Sequence, residues 1–319
     1  MPLNNGIGKS HGKMIIMGEH AVVYGYPAIA FPLLSIPVIV RIKESSEKTL
    51  LSNYFVGKIA DLPDALSGVK YLIDILDHEF NQQDINYAIF IDSGLPIERG
   101  LGSSAAIGAA ITRAFFDFFD QPIDQEKLLK HINKSETVTH CKASGLDANT
   151  VISESPIKFG KDKAASHFSF TSDGFIVIAD SGIKGKTKET VADVRTMYDK
   201  APEKIGQMLE QLGQHTEDTV IALKNNDLVK LGQIFTDANS ILSKLNLAVP
   251  KTDKLNKAAI SAGALGSKIT GGGRGGCTIS LAKNLEDAKK IQQALRENGA
   301  EQTWTQPLSI YENEGTDFD

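Results

Sequence analysis

A strand-like run, NYAIFIDS at residues 86–93, passes through the glycine and serine loop GLPIERGLGSSAA at 94–106 into an apolar helical pattern ending in AFFDFF. Few arrangements suit that order. Glycines let the backbone approach an anion, and the first turn of the following helix presents unpaired N–H groups and a partial positive charge. A serine hydroxyl there can also reach a metal held by phosphate. Taken alone, the loop has a plainer account, in which Ser103 or Ser104 caps the helix and the glycines make a turn. The rest of the chain has to decide between the two.

With 319 residues the chain fits two domains of roughly 150 residues each. A hydrophobic share of 41% against 23% charged residues is that of a globular protein. The 34 basic and 39 acidic residues leave a net charge of −5, and no basic run is long enough to make a nucleic-acid or membrane stripe. Any phosphate must therefore be held by local geometry. The two cysteines, Cys141 and Cys277, make neither a disulfide framework nor metal-ligand spacing, which suits a reducing cytoplasm. Ala21–Val40 is uncharged and as long as a membrane span, but Pro27, Pro32 and Pro37 break helical hydrogen bonding repeatedly. Buried strands explain it better, the amino terminus has no signal-peptide core, and a soluble protein is expected.

Periodicity gives the remaining organisation. Residues 12–43 read as three or four short strands, and Leu66, Val69, Leu72, Ile73 and Leu76 share a helical face within 64–79. A second amphipathic helix is expected at 125–139, and the polar stretch at 155–170 is the candidate domain junction. The second half predicts a strand at 175–180 and helices at 188–212, 215–224, 227–245 and 252–263. A strand CTISLA, a helix at 285–298 and a closing strand near 308–311 follow. Grouped strands with interspersed helices argue for an α+β fold, with domains at 1–160 and 170–319.

Two further segments carry chemistry. Glu136 and Asp147 lie eleven residues apart, the latter in Ser144-Gly145-Leu146-Asp147. Glu136 sits near a predicted helix end, where the dipole disfavours a carboxylate, so helix stability does not explain it and service to a cation is one open reading. Each carboxylate alone is more simply a solvated surface group. The other segment, Lys268-Ile-Thr-Gly-Gly-Gly-Arg-Gly-Gly-Cys277, packs five glycines into six positions ahead of a strand. That density favours close backbone approach to a ligand over a passive connection. Two other phosphate motifs fail. Neither Gly8-Lys9-Ser10 nor Gly185-Lys186-Thr187 has the glycine a Walker A loop needs, and the GxGxxG spacing at 271–276 precedes a strand instead of opening a helix.

Together with Gly12–Gly25, GKMIIMGEHAVVYG, these segments resemble the three ordered motifs of the GHMP kinases, and GEHAVVYG resembles the version found in the mevalonate kinase family. The resemblance implies a two-domain fold, with a mixed α/β amino-terminal domain, a ferredoxin-like carboxyl-terminal domain and a ligand cleft between them. It implies ATP and Mg²⁺ as cofactors and mevalonate as the small-molecule partner, phosphorylated on its C5 hydroxyl in isoprenoid synthesis. No nucleic-acid or membrane partner is implied, and a homodimer stays open.

Carried over by position, Pro96, Gly100, Leu101, Gly102, Ser103, Ser104, Ala105 and Ala106 would cradle the nucleotide phosphates, with Ser104 and Glu136 on Mg²⁺. Asp147 and Lys13 would be catalytic beside the acceptor hydroxyl. Glu19, His20, Thr187, Gly271, Gly272 and Gly273 fall where the family contacts substrate or the transferred phosphate. Arg195 is a candidate for the substrate carboxylate. Two alternatives remain: another GHMP enzyme such as phosphomevalonate kinase, and a catalytically silent ligand-binding regulator. This chain departs from the family pattern at Glu98, Arg99, Cys141–Ala143, Gly272 and Arg274, where the family's third motif usually reads close to GAGGGGC.

Overall fold

The computed structural model describes residues 5–81, 84–139, 145–160 and 163–312. The chain packs into two units that are not consecutive in sequence. One takes the chain up to Lys13, Pro32–Ile97 and Gly102–Ser153; the other takes Met14–Phe31, Glu98–Leu101 and the chain from Glu154 onward. The glycine and serine loop is thus divided between them, with the break after Leu101.

β1 (Gly6–Met17), in the first unit up to Lys13, pairs with β2 (Ala28–Glu44), in the first unit from Pro32, and β2 runs antiparallel to β5 (Tyr87–Ser93) in the register Val38↔Ser93 to Glu44↔Tyr87. β3 (Thr49–Leu51) joins β5 in parallel, and β4 (Val56–Lys58) is outermost. Val38, Val40 and Ile42 are buried while Arg41 and Lys43 are exposed, the period of two that a half-covered strand demands. Three helices pack together on this sheet: α1 (Ser67–Glu79), α2 (Ser103–Phe118) and α3 (Gln125–Thr139). α2 is buried nearly all round, as its composition requires. Tyr87 anchors the sheet to both neighbours: its ring meets Phe115 edge-on at 5.2 Å, and its hydroxyl donates to Asp77 of α1 at 2.8 Å. α4 (Leu146–Val151) closes the unit against α2 and α3.

In the second unit, β6 (Ile157–Gly160) and β7 (Lys163–His167) form an antiparallel pair, and β6 joins the start of β2 at Ala28–Ala30. The polar stretch near 155–170 therefore contains two paired strands. A second sheet holds β8 (Phe175–Asp180), β9 (Gly266–Thr270), β10 (Cys277–Ala282) and β11 (Gln302–Pro307) in the order β11-β8-β10-β9, all antiparallel. That is the 4-1-3-2 order of a ferredoxin-like sheet. Its two helices, α8 (Pro250–Ser261) and α9 (Leu285–Glu297), bury Leu255, Ala259, Ile291 and Leu295 against Val177 and Ala179. Between β8 and α8 the chain inserts α5 (Thr187–Lys200), α6 (Pro202–Lys224) and α7 (Leu228–Lys244).

Three sequence expectations are corrected. Residues 12–43 form two long strands joined by a 3-10 turn at Ala21–Tyr24, not three or four short ones. Pro32 and Pro37 lie outside the β2 registers with β5 and β6, so neither interrupts those two ladders. The helix break falls at Ala201, because Pro202 starts a helix readily, whereas Gly213 continues inside α6. The closing strand is Gln302–Pro307, and Leu308–Tyr311 makes a 3-10 turn instead. β9 went unforeseen since it merges with the glycine loop in sequence.

Candidate active site

β1 is held along α2 and α4 by hydrogen bonds from Ile7 N–H to Asp117, from Arg113 to the Lys9 carbonyl and from Ser10 Oγ to the Val151 carbonyl. Lys13, further along the same strand, is consequently buried, and a buried ammonium needs a partner. It has one in Asp147, with Nζ 2.9 Å from Oδ1. Asp147 stands in the first turn of α4, where the helix dipole favours a carboxylate. Its side chain keeps 37% of its surface open against 4% for Lys13, so the carboxylate remains reachable by a ligand.

Gly102 brings this pair to the start of α2. It caps the helix in the left-handed conformation at φ 71°, and a Cβ there would fall 2.7 Å from Lys13 Cγ. Ser103 follows, buried, with an Oγ that meets no hydrogen-bond partner among the described residues. Ser104 is half-buried, and Ala105 and Ala106 are buried in the helix. α2 meets α3 where Gly108 faces Ser135, one turn beyond Ser104 and one residue before the buried Glu136. Among the described residues no cluster of three or more His, Cys, Asp or Glu forms a ready metal cage. A phosphate-bound Mg²⁺ needs only one or two protein oxygens, and the Ser104 hydroxyl and the Glu136 carboxylate are donors of the type it takes. Ile97 and Ile107 flank the loop and line a small apolar cavity of about 20 Å³, room for a single water-sized molecule, together with Leu50, Tyr54, Val69 and Ile91.

The second unit gathers the other expected residues. His20, left-handed at φ 62°, bonds the Gly272 carbonyl through Nε2 at 2.9 Å. Burial holds its pKa below the ordinary histidine value, and the Arg274 cation acts in the same direction against that hydrogen bond. Gly272 lies directly on Thr187, for a Cβ at 272 would stand 2.2 Å from Thr187 Oγ1. Gly100 lies close to Gly271, the site of a Cβ on it being 3.6 Å from Gly271 Cα. Leu101 is buried, and Pro96, in the first unit, is half-buried.

Several placements were not legible beforehand. Glu19 is buried in an ion pair with Lys268 of β9, a lysine that the sequence presented only as the start of a glycine loop. Burial lowers the Lys268 pKa and the Glu19 charge opposes this. Arg99 pairs with Asp180 at 2.8 Å and Glu98 with Lys184 at 2.6 Å, so these departures anchor the loop to the end of β8 and the residues after it. Arg274 turns to Asp193 of α5. Arg195 is engaged by Asp199 at 3.0 Å and lies over the Tyr198 ring. Cys141–Ala143 lie outside the described residues; Cys277 is buried, which pushes its thiol pKa up.

Comparison with known proteins agrees with this arrangement. The GHMP kinases N terminal domain matches residues 67–154, and the GHMP kinases C terminal domain matches 219–301. A mevalonate kinase of Pyrococcus furiosus is 30% identical over 91% of this chain and 92% of its own. The mevalonate kinase structure of methicillin-resistant Staphylococcus aureus aligns with a TM-score of 0.75 at 29% identity, covering 96% of this chain and 99% of that one. The L. major mevalonate kinase, solved in complex with R-mevalonate, shares the fold with a TM-score of 0.81 at 22% identity, over 95% and 96% of the two chains. The chain belongs to the GHMP kinases, in the family of the mevalonate kinases.

Proposed function

We propose that the chain transfers the γ-phosphate of ATP to the C5 hydroxyl of mevalonate, giving 5-phosphomevalonate and ADP. The observation that carries this reading is the ion pair of Lys13, packed against Gly102 at the start of α2, with Asp147 in the first turn of α4, a buried lysine and a reachable carboxylate. Phosphoryl transfer asks a protein mainly for positioning and charge neutralisation, because the transition state is loose and its charge lies on the phosphoryl oxygens. The N–H groups opening α2 and the Ser103 hydroxyl suit phosphate oxygens.

Ser104 and Glu136 would hold Mg²⁺, which when bound neutralises phosphate charge. Asp147 orients the acceptor hydroxyl and receives its proton late, as the new oxygen–phosphorus bond forms and the β–γ bridging oxygen departs with ADP. Lys13 stabilises the alkoxide that develops meanwhile. Glu19, His20, Thr187 and the loop Gly271–Gly273 serve acceptor and transferred phosphate. Among the described residues no helix is long and apolar enough to cross a membrane, and we place the reaction in the cytoplasm.

ADP release measured with mevalonate, phosphomevalonate and galactose in parallel tests the reading. Turnover with mevalonate well above the other two is expected. Preferential turnover of phosphomevalonate, or none with any acceptor, would replace it by one of the alternatives raised from the sequence.

A further inference from the structure

Five glycines in six positions should make 271–276 the softest segment of the second unit, since glycine loses the most conformational freedom on ordering. The segment is instead tied down by its backbone. Gly276 N–H donates to the Ile183 carbonyl at 2.7 Å, Ser181 Oγ to the Gly276 carbonyl at 2.6 Å and Lys186 N–H to the Gly273 carbonyl at 3.2 Å. The one non-glycine residue, Arg274, sits in the left-handed region at φ 54°. Such strain in a residue with a Cβ persists only where the surroundings over-determine it. Here three contacts do so: Arg274 N–H to the Leu247 carbonyl at 2.6 Å, Nε to the Asn246 carbonyl at 3.0 Å, and Nη1 to Asp193 Oδ2 at 2.5 Å.

The partner's position gives these contacts a consequence. Asp193 lies on α5, the helix whose first residue is Thr187, and Thr187 is the residue on which Gly272 rests. Arg274 therefore ties the loop to the same rigid element that presents Thr187, two residues along from the Gly272 carbonyl bonded by His20. We infer that Arg274 is a positioning residue: its bond to Asp193 sets the spacing of the glycine loop on α5, and through Gly272, His20 and Thr187 it sets affinity for the acceptor alcohol. This rests on the proposed acceptor role of His20 and Thr187. The cation beside His20 adds to the effect, since it disfavours a second charge on that ring.

An ion pair as exposed as this one is often worth nothing, so the test must separate positioning from mere surface contact. Steady-state kinetics on the intact chain, with KM for mevalonate and for ATP determined separately, would compare Asp193→Asn, Arg274→Asn and the exchanged pair Arg274→Asp with Asp193→Arg. Asparagine and aspartate tolerate a left-handed backbone better than most residues, which spares the turn. Hydrogen–deuterium exchange of the segment 268–277 would be followed in the same proteins. Each single variant should raise the mevalonate KM about fivefold, the factor a good surface pair carries, with ATP KM and kcat within about twofold and faster exchange in the loop. The exchanged pair should recover much of both losses. Unchanged acceptor KM and exchange in the single variants, an equal rise in both KM values, or an exchanged pair no better than the two single variants would overturn the inference. If the wild-type chain does not phosphorylate mevalonate, the functional reading falls, while the exchange comparison still decides whether Arg274 holds the loop.

Discussion

Lys13 and Asp147 are the residues whose chemistry is most exposed to test. General-base assistance is typically worth about 100-fold to 10,000-fold, so Asp147→Asn should lower kcat within that span. Near-wild-type turnover would remove the role. Lys13→Met should lower kcat by at least about 100-fold at nearly constant ATP affinity, because the lysine acts on charge that develops only in the transition state. Gly102→Ala tests the geometry between them. Its φ of 71° disfavours a side chain, and the added methyl would meet Lys13 Cγ at 2.7 Å. We expect kcat to drop with unchanged far-ultraviolet circular dichroism; a normal kcat would mean that Lys13 does not depend on this close approach. At this scale the sequence was informative about residue types and silent about partners. Glu19 and Lys268 stand 249 positions apart, and no local spacing relates them.

Between elements, that same pair couples the segment after β1 to β9. Both side chains are almost wholly enclosed, so removing one partner leaves an uncompensated charge, at a cost of about 3–5 kcal/mol. Lys268→Met should therefore unfold at markedly lower urea concentration, and Glu19→Leu with Lys268→Met should regain much of the loss. A single variant as stable as the wild type would show that the pair carries no structural role. Elements with a strong pattern could be read directly: α1 and α3 show one apolar face, and α2 is apolar nearly all round. The short strands β3, β4, β6 and β7 could not, because pairing with a distant strand and not local pattern stabilises them. β9 was hidden for a related reason: Gly266–Thr270 is buried throughout, so it shows no alternation, and it runs straight into the glycines.

For the whole molecule, buried histidines set the response to acid. Burial lowers the pKa of His20, and also that of His131, where the charge of Glu79 opposes it. A depressed histidine pKa means that the unfolded chain binds more protons than the folded one between the folded value and the ordinary 6.5. Their contribution is complete above that ordinary value and is lost as the pH falls toward the folded ones. Unfolding free energy should accordingly decline from about pH 7 to about pH 5, and His131→Gln should flatten the decline. An unchanged slope would assign acid sensitivity to other groups. By itself the sequence determined the fold class, the three motif segments and the residue types that phosphoryl transfer requires, since period and composition are local properties. Only the tertiary structure decided that the loop divides after Leu101 between two packing units, that Arg99 and Arg274 anchor backbone, and that Lys268 finds Glu19. Those outcomes depend on which distant surfaces bury one another, and a buried charge takes whatever partner the packing brings within reach.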